Sequence, residues 1–350
     1  MTALAALTAV VLPVRAGGEV VPCPADITGD GAVDSADLTV VLADWGQCPQ
    51  GGSTGCLADF DGDAAVSGVD LHILLTSWGP CISVPSWAEV IEAVPNPDVV
   101  TNGVIRERIL ATGLAWRVRD TATQMEFVLI PPGTFNMGCS ASNLYGCDGD
   151  ENPVHQVTLT NAFYMGRYEV TQAQWQATMG NNPSYYQGDL NRPVEQVSWN
   201  TIQGFLSQRG MRLPTEAEWE YACRGGTTTA FHGWPANPSG TNDDSQVGNI
   251  AWYEANSGGQ TRPVGGKAAN GFGLHDMSGN VWEWVNDRYS HSYYASSPAQ
   301  NPQGPSSGLY RVLRGGSWYD FTYDVRSSYR SGYTPDDSSF YVGFRALRAP

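Results

Sequence analysis

Two stretches of this chain carry oxygen-bearing side chains at a spacing that suits a hard cation. In the first, Asp26, Thr28, Asp30, Asp34 and Asp37 stand at positions 1, 3, 5, 9 and 12 of a loop, with Gly31 at position 6. In the second, Asp59, Asp61, Asp63, Ser67 and Asp70 fill the same slots, and Ala64 replaces the glycine. Calcium takes about six to eight oxygen ligands, and this spacing wraps one loop around one ion. The stretches repeat at an offset of 33 residues: Cys23 matches Cys56, Trp45-Gly46 matches Trp78-Gly79, and Cys48 matches Cys81. A lone acidic loop is usually a solvated turn, whereas two in register form a repeat. One calcium ion per loop is expected, with folding coupled to the ion.

Each loop runs into a helical pattern: Leu38, Val41, Leu42 and Trp45, then Leu71, Leu74, Leu75 and Trp78. A typical EF-hand closes its loop with Glu, but position 12 here is Asp twice. Residues 23–81 therefore resemble a dockerin type I module. The resemblance implies a small all-α calcium-loop module that docks onto a cohesin-like or other extracellular scaffold protein. The cysteine pair bracketing each repeat is an addition to that pattern and staples a module with little surface to bury.

Six cysteines, Cys23, Cys48, Cys56, Cys81, Cys139 and Cys147, are expected to form three disulfides, with connectivity open, and Cys223 falls in a helical pattern as a buried thiol. Zinc is a poor rival because no CxxC or clustered His accompanies them. Export fits this cysteine usage. Residues 3–13 form a short apolar run ending near Val14-Arg15-Ala16, so residues 1–18 are expected to be a signal peptide. Its basic opening is missing, which places the expected start upstream of Met1. No stretch is apolar enough to span a bilayer. The expected location is extracellular or on the cell surface. The net charge of −16 repels phosphate backbones and argues against nucleic-acid binding. With 12 Trp, 16 Tyr and 40 Gly, the composition is that of an aromatic, loop-rich globular protein.

Residues 82–113 read as a linker with short helices. One is capped at Ser86 and runs through Ala93 before Pro95 and Pro97; another covers 102–112. Strand-like texture begins near Trp116, notably over 125–130. Helices are expected over 171–179 and 198–208. A third follows Thr215, where Thr215 and Glu218 make a capping box. Most of 114–348 is short segments broken by Gly, Pro, Asn and Ser, which gives an α+β class.

In order, the chain reads FVLIPPGTFNMG, HQVTLTNAFYMGRYEVTQAQW, RLPTEAEWEYACRGG, NGFGLHDMSGNVWEW, RVLRGGSW and VGFRALR. Over about 235 residues these segments resemble the formylglycine-generating enzymes, the sulfatase-modifying-factor family. The resemblance implies a C-type-lectin-like fold with much irregular structure. It also implies copper(I) chemistry on two cysteines between RGGS and GFR. Here that stretch, 318–342, holds no cysteine, and none follows Cys223. Copper(I) requires soft thiolates, so no copper is expected. Iron is not expected either, because the five His are scattered. By motif match, Asp276, Gly279, Val281 and Glu283 are the family's calcium ligands, and Asn249 and Ile250 open a second calcium site, giving one or two ions in this domain. Ser317, Trp318, Asp320 and Tyr323 are the candidate ligand-binding residues. Arg314 lines a groove or serves in a buried ion pair, and Trp282 and Trp284 pack in the core.

Three functions follow. The first is a secreted, non-catalytic binding or scaffold domain for a glycan or protein, tethered through the dockerin-like module. The second is a protein-modifying oxidoreductase of altered chemistry. The third is a component of extracellular polysaccharide degradation, ranked last because no pair of facing carboxylates is evident.

Overall fold

Paired repeats build the first part of the chain. The computed structural model describes residues 23–29, 31–48, 56–140, 144 and 146–350; Asp30 and the expected signal peptide lie outside these. The chain divides into two units, one ending at Ser86 and the other starting at Trp87.

In the first unit, β1 (Ala32–Val33), α1 (Ser35–Ala43) and β2 (Gly46–Gln47) are followed by β3 (Ala65–Val66), α2 (Gly68–Thr76) and β4 (Gly79–Pro80). The unit is therefore not all-α. Each loop donates a short strand to the tail of the other repeat: Ala32 pairs with Pro80, and Ala65 with Gln47. The same exchange brings Cys23 to Cys81 and Cys48 to Cys56, so both disulfides join the two repeats instead of closing each one. The pairings map onto one another under the 33-residue offset, as a pseudo-twofold axis requires. The core obeys it too: Ala25, Val33 and Val41 are fully buried, as are their matches Ala58, Val66 and Leu74. Trp45 and Trp78, which close the two helical patterns, stay about half exposed, because this core is small and filled by smaller side chains.

The second unit begins with β5 (Ala88–Glu92), α3 (Gly103–Leu110), β6 (Arg117–Asp120) and β7 (Glu126–Ile130). Next come β8 (Gly133–Met137), β9 (His155–Leu159) and β10 (Phe163–Gly166). The helices α4 (Gln172–Met179), α5 (Trp199–Gln208) and α6 (Glu216–Arg224) follow. The chain closes with β11 (Trp282–Arg288), β12 (Arg311–Arg314), β13 (Arg330–Tyr333), β14 (Val342–Phe344) and β15 (Leu347–Arg348). One sheet has the order β15-β10-β7-β6-β5, another β13-β12-β11-β14, and β8 with β9 forms a hairpin.

Residues 86–93 are not the expected helix. Val90 lies opposite Val118, Thr121 N–H donates to the Trp87 carbonyl, and the Trp87 ring meets Phe127 and Tyr164 edge-on at 5.6 and 5.4 Å. Pairing and aromatic burial outweigh the local capping signal, and the linker reading gives way to an edge strand of the large unit.

The helices start where their caps stand. The Thr171 and Gln174 pair caps α4, Ser198 caps α5, and the Thr215 and Glu218 pair caps α6. Helix α6 buries Trp219 and Ala222 together with Glu216, Glu220 and Arg224. Those charges are paired: Glu216 takes Arg330 through two bonds of 2.7 and 2.6 Å, and Glu220 takes Arg224 and Arg314. Arg314 is thus a buried ion-pair partner. Cys139 bonds to Cys147, and Cys223 is a buried free thiol. No described helix is long and apolar enough to cross a membrane.

Candidate functional site

Position 12 of each loop does two jobs. Asp37 is fully buried and accepts from Ile27 N–H at 2.8 Å, Thr28 N–H at 3.0 Å and Asp34 N–H at 2.8 Å. Burial works to raise its carboxyl, but the N–H groups of Thr28, Asp34 and Ile27 outweigh it and hold it below the usual range. Asp70 repeats this with Phe60 and Ser67 N–H at 2.7 and 2.8 Å. Position 9 caps the helix: Asp34 accepts from Ala36 N–H and Ser67 from Val69 N–H. At position 1, Asp26 takes Gly29 and Gly31 N–H, and Asp59 takes Gly62, Asp63 and Ala64 N–H. Thr28 Oγ1 turns to Asp37 at 3.2 Å. Each position-1 carboxylate also lies against a cystine sulfur, Asp26 at 3.7 Å from Cys81 and Asp59 at 3.8 Å from Cys48.

Asp59, Asp61 and Asp63 converge so that their oxygens lie within 4.8 Å of one another, the one such cluster among the described residues. Desolvation raises the Asp61 carboxyl, and the charges of Asp63, Asp70 and Asp59 add to that. Like charges this close, all hard oxygens, fit a divalent cation. Ala64 adopts φ 68°, where the first loop has Gly31 at 90°. A side chain in that left-handed region costs about 1 kcal/mol, so the second loop folds under strain.

In the large unit, the expected calcium loop turns sharply at Asp276 (φ 57°) and Gly279 (φ 79°). A Cβ on Gly279 would meet the Trp252 carbonyl oxygen at 2.1 Å, so only glycine fits. Asp276 Oδ2 accepts from Gly265 N–H at 2.6 Å, while its buried Oδ1 has no hydrogen-bond partner among the described residues. Burial pushes this carboxyl up to about 6. Glu283 is committed elsewhere, to Arg345 at 2.7 Å and Trp219 Nε1 at 2.7 Å. The carboxylate bound to this loop's own N–H groups is Glu169, which accepts from Asn280 Nδ2 at 2.6 Å and Val281 N–H at 3.0 Å. Desolvation, then the charges of Asp276 and Glu283, push it well above its ordinary value. An orphaned carboxylate oxygen beside surplus buried negative charge fits a hard cation. Asn249 spends its amide on the Gln246 carbonyl and its own backbone carbonyl on Ala268 N–H, while Ile250 packs in an apolar cluster; among the described residues no carboxylate hydrogen-bonds to either.

Three of the four candidate ligand-binding residues come together. Ser317 Oγ donates to Asp320 Oδ2, and Trp282 Nε1 donates to the same oxygen at 2.8 Å. Burial raises the Asp320 carboxyl. Trp318 sits in an aromatic group with Tyr186 at 5.2 Å, Tyr319 at 5.3 Å and Phe340 at 5.9 Å. Around it Tyr185, Tyr319 and Phe321 stand 68, 60 and 65 % exposed. Tyr323 belongs to a different set, 5.1 Å from Tyr329 and with Arg326 at 4.3 Å over its ring. The free thiol, Cys223, is fully buried and pushed up to about 12 by desolvation, so it is no nucleophile.

Sequence reasoning missed Glu169 and Glu195. Glu195 is fully buried beneath the Tyr185-Tyr186 pair. Its Oε1 accepts from Tyr186 N–H at 2.8 Å, and its Oε2 has no hydrogen-bond partner among the described residues. Burial pushes it up to about 7. The one available signal was a Glu-Gln pair set between Val194 and Val197.

The sulfatase-modifying factor enzyme 1-like domain family matches residues 115–350. Over 290 residues the chain is 35% identical to the formylglycine-generating enzyme of Streptomyces coelicolor, covering 67% of this chain and 91% of that one. It is 30% identical to the chaperone protein LppX of Paenibacillus barcinonensis, covering 66% and 91%. Among solved structures, Treponema denticola variable protein 1 superposes with a TM-score of 0.57 at 31% identity, covering 66% of this chain and 98% of that one. PvdO from Pseudomonas aeruginosa gives 0.58 at 27% identity, covering 67% and 98%.

Proposed function

Because the chain belongs to the sulfatase-modifying factor enzyme 1-like family, with its C-type-lectin-like fold, we propose that its large unit is a calcium-braced binding body and not a formylglycine-forming oxidase. One observation carries this reading. The loop where the family holds its thiol pair has Asp320 locked to Trp282 and Ser317, and the free thiol is sealed away. A carboxylate is a hard ligand and does not replace two thiolates around copper(I). What remains is a surface of exposed aromatic rings beside short polar groups, a composition suited to ligand contact. Asp276, Glu169 and the carbonyls of Gly279 and Val281 would hold calcium and fix the loop that carries Trp282.

The first unit is, on this reading, a dockerin-like module that takes two calcium ions and joins a secreted chain to a cohesin-like or other extracellular scaffold protein. Its duplicated loops, converging Asp59, Asp61 and Asp63 and paired capping boxes support that.

The test is direct. Purified protein is incubated with a CxPxR peptide, copper and reductant, and the peptide is weighed. The expected product is unchanged cysteine; conversion to formylglycine would overturn the reading. Calorimetric titration of the full chain with calcium is expected to show binding that is weakened when Asp61 and Asp63 are changed to Asn.

A further inference from the structure

Away from Trp318 and Asp320, the large unit has a groove of about 440 Å3, a size usual for small-ligand sites. Three tyrosines, Tyr289, Tyr310 and Tyr329, line it together with Asp148, Asp150 and His291. The geometry points to this groove as a binding site for a neutral saccharide. The inference rests on the binding reading above and adds to it a ligand class and a second surface.

The walls are fixed before any ligand arrives. Tyr289 donates its hydroxyl to Asp150 Oδ2 at 2.7 Å and its N–H to the Tyr310 carbonyl at 2.9 Å. Its ring lies against β13 at Gly332, where a Cβ would meet Tyr289 Cγ at 2.8 Å, so glycine is what lets the ring lie there. Beneath, Arg330 sits 5.0 Å from the Tyr289 ring, with its donors spent on Glu216, Asp150 and Ser290. Tyr329 is braced by the Tyr323 ring at 5.1 Å. Tyr310 and His291 remain exposed at the rim.

This chemistry selects its occupant. Asp148 and Asp150 disfavour an anion. The guanidinium under Tyr289 disfavours a second cation on that ring. Hydroxyl-rich rings suit it, because they present apolar C–H faces to tyrosines and donate to carboxylates while accepting from His291 and Tyr310. No bond is made or broken.

The experiment uses the full chain and short neutral fragments of β-glucan, xylan, mannan and chitin, with a basic peptide as the cationic probe, read by calorimetry. Wild type is expected to bind at least one fragment. Tyr310→Ala and His291→Ala, both at exposed positions, should each weaken binding about tenfold. Val104→Ser, exposed on α3 and lining neither aromatic surface, should bind as wild type does. Binding of no fragment, preference for the basic peptide, or a Tyr310→Ala protein that binds normally would each overturn the assignment. A protein that binds saccharide yet converts the CxPxR peptide would keep the groove and sink the non-catalytic reading.

Discussion

Glu195 and Asp276 are carboxyl groups that the fold holds against their preference for water. The ordinary Glu value is 4.5, and burial takes Glu195 to about 7. Below pH 4.5 both folded and unfolded chains carry the proton, and the site costs nothing. As pH rises towards 7 the unfolded chain ionises first, so stability falls across that window and is level above it. Glu195→Gln should therefore raise stability at pH 8 by roughly 1–3 kcal/mol and leave it unchanged at pH 4, as urea unfolding at the two pH values would register. A wild-type protein as stable at pH 8 as at pH 4.5, with the variant alike, would refute this. Asp276 behaves oppositely once a cation is present, because calcium favours its ionised form. Calcium should raise the melting temperature of wild type more at pH 7.5 than at pH 5, and Asp276→Asn should lose most of that gain in the large unit's transition. These residues were only half legible. Asp276 stands in a motif, so its place in a sharply turning loop was readable. Glu169 and Glu195 carry no spacing signal, because what makes them unusual is burial, and burial is set by packing from distant segments.

Helix starts were legible because a cap is a local contract between residues three apart. Thr215 with Glu218 and Asp34 with Asp37 needed no tertiary context. The loops show how economical such a pair is: Asp37 and Asp70 close a capping box in the same place where a calcium ligand is wanted. The two roles separate by substitution. Asp70→Asn keeps one acceptor oxygen where the Phe60 and Ser67 N–H groups use one carboxylate oxygen each, so calcium-free stability should fall by about 1–3 kcal/mol. Calcium affinity of the second loop should fall at least tenfold, since a charged oxygen is lost. Equal loss in both assays would show that the residue is structural only. Strand β5 was illegible for the converse reason. Ser86 and Glu89 imitate a helix start, and only the exposed edge of β6, about thirty residues on, decides the matter.

For the whole chain, the boundary of the large unit moves from residue 114 to Trp87. A protein beginning at residue 87 should fold by itself. One beginning at 114 loses β5, α3 and the Trp87 ring, and should be destabilised by on the order of 3–5 kcal/mol, visible as a lowered thermal midpoint. Order of motifs along the sequence placed the family framework well, yet cross-repeat pairing in the first unit was beyond it, since a repeat read along the chain hides which copy faces which.

That crossing has a mechanical meaning. Cys23 and Cys81 are 58 residues apart in sequence, and their bond joins the two ends of the module. If an anchored surface pulls on one flank and the large unit drags on the other, tension runs through sulfur and bypasses the ion loops and both helices. Stretching a single molecule should release none of the intervening contour, about 200 Å when fully extended, until a reducing agent cuts the bond. A module closed this way keeps the distance between its two flanks constant under load.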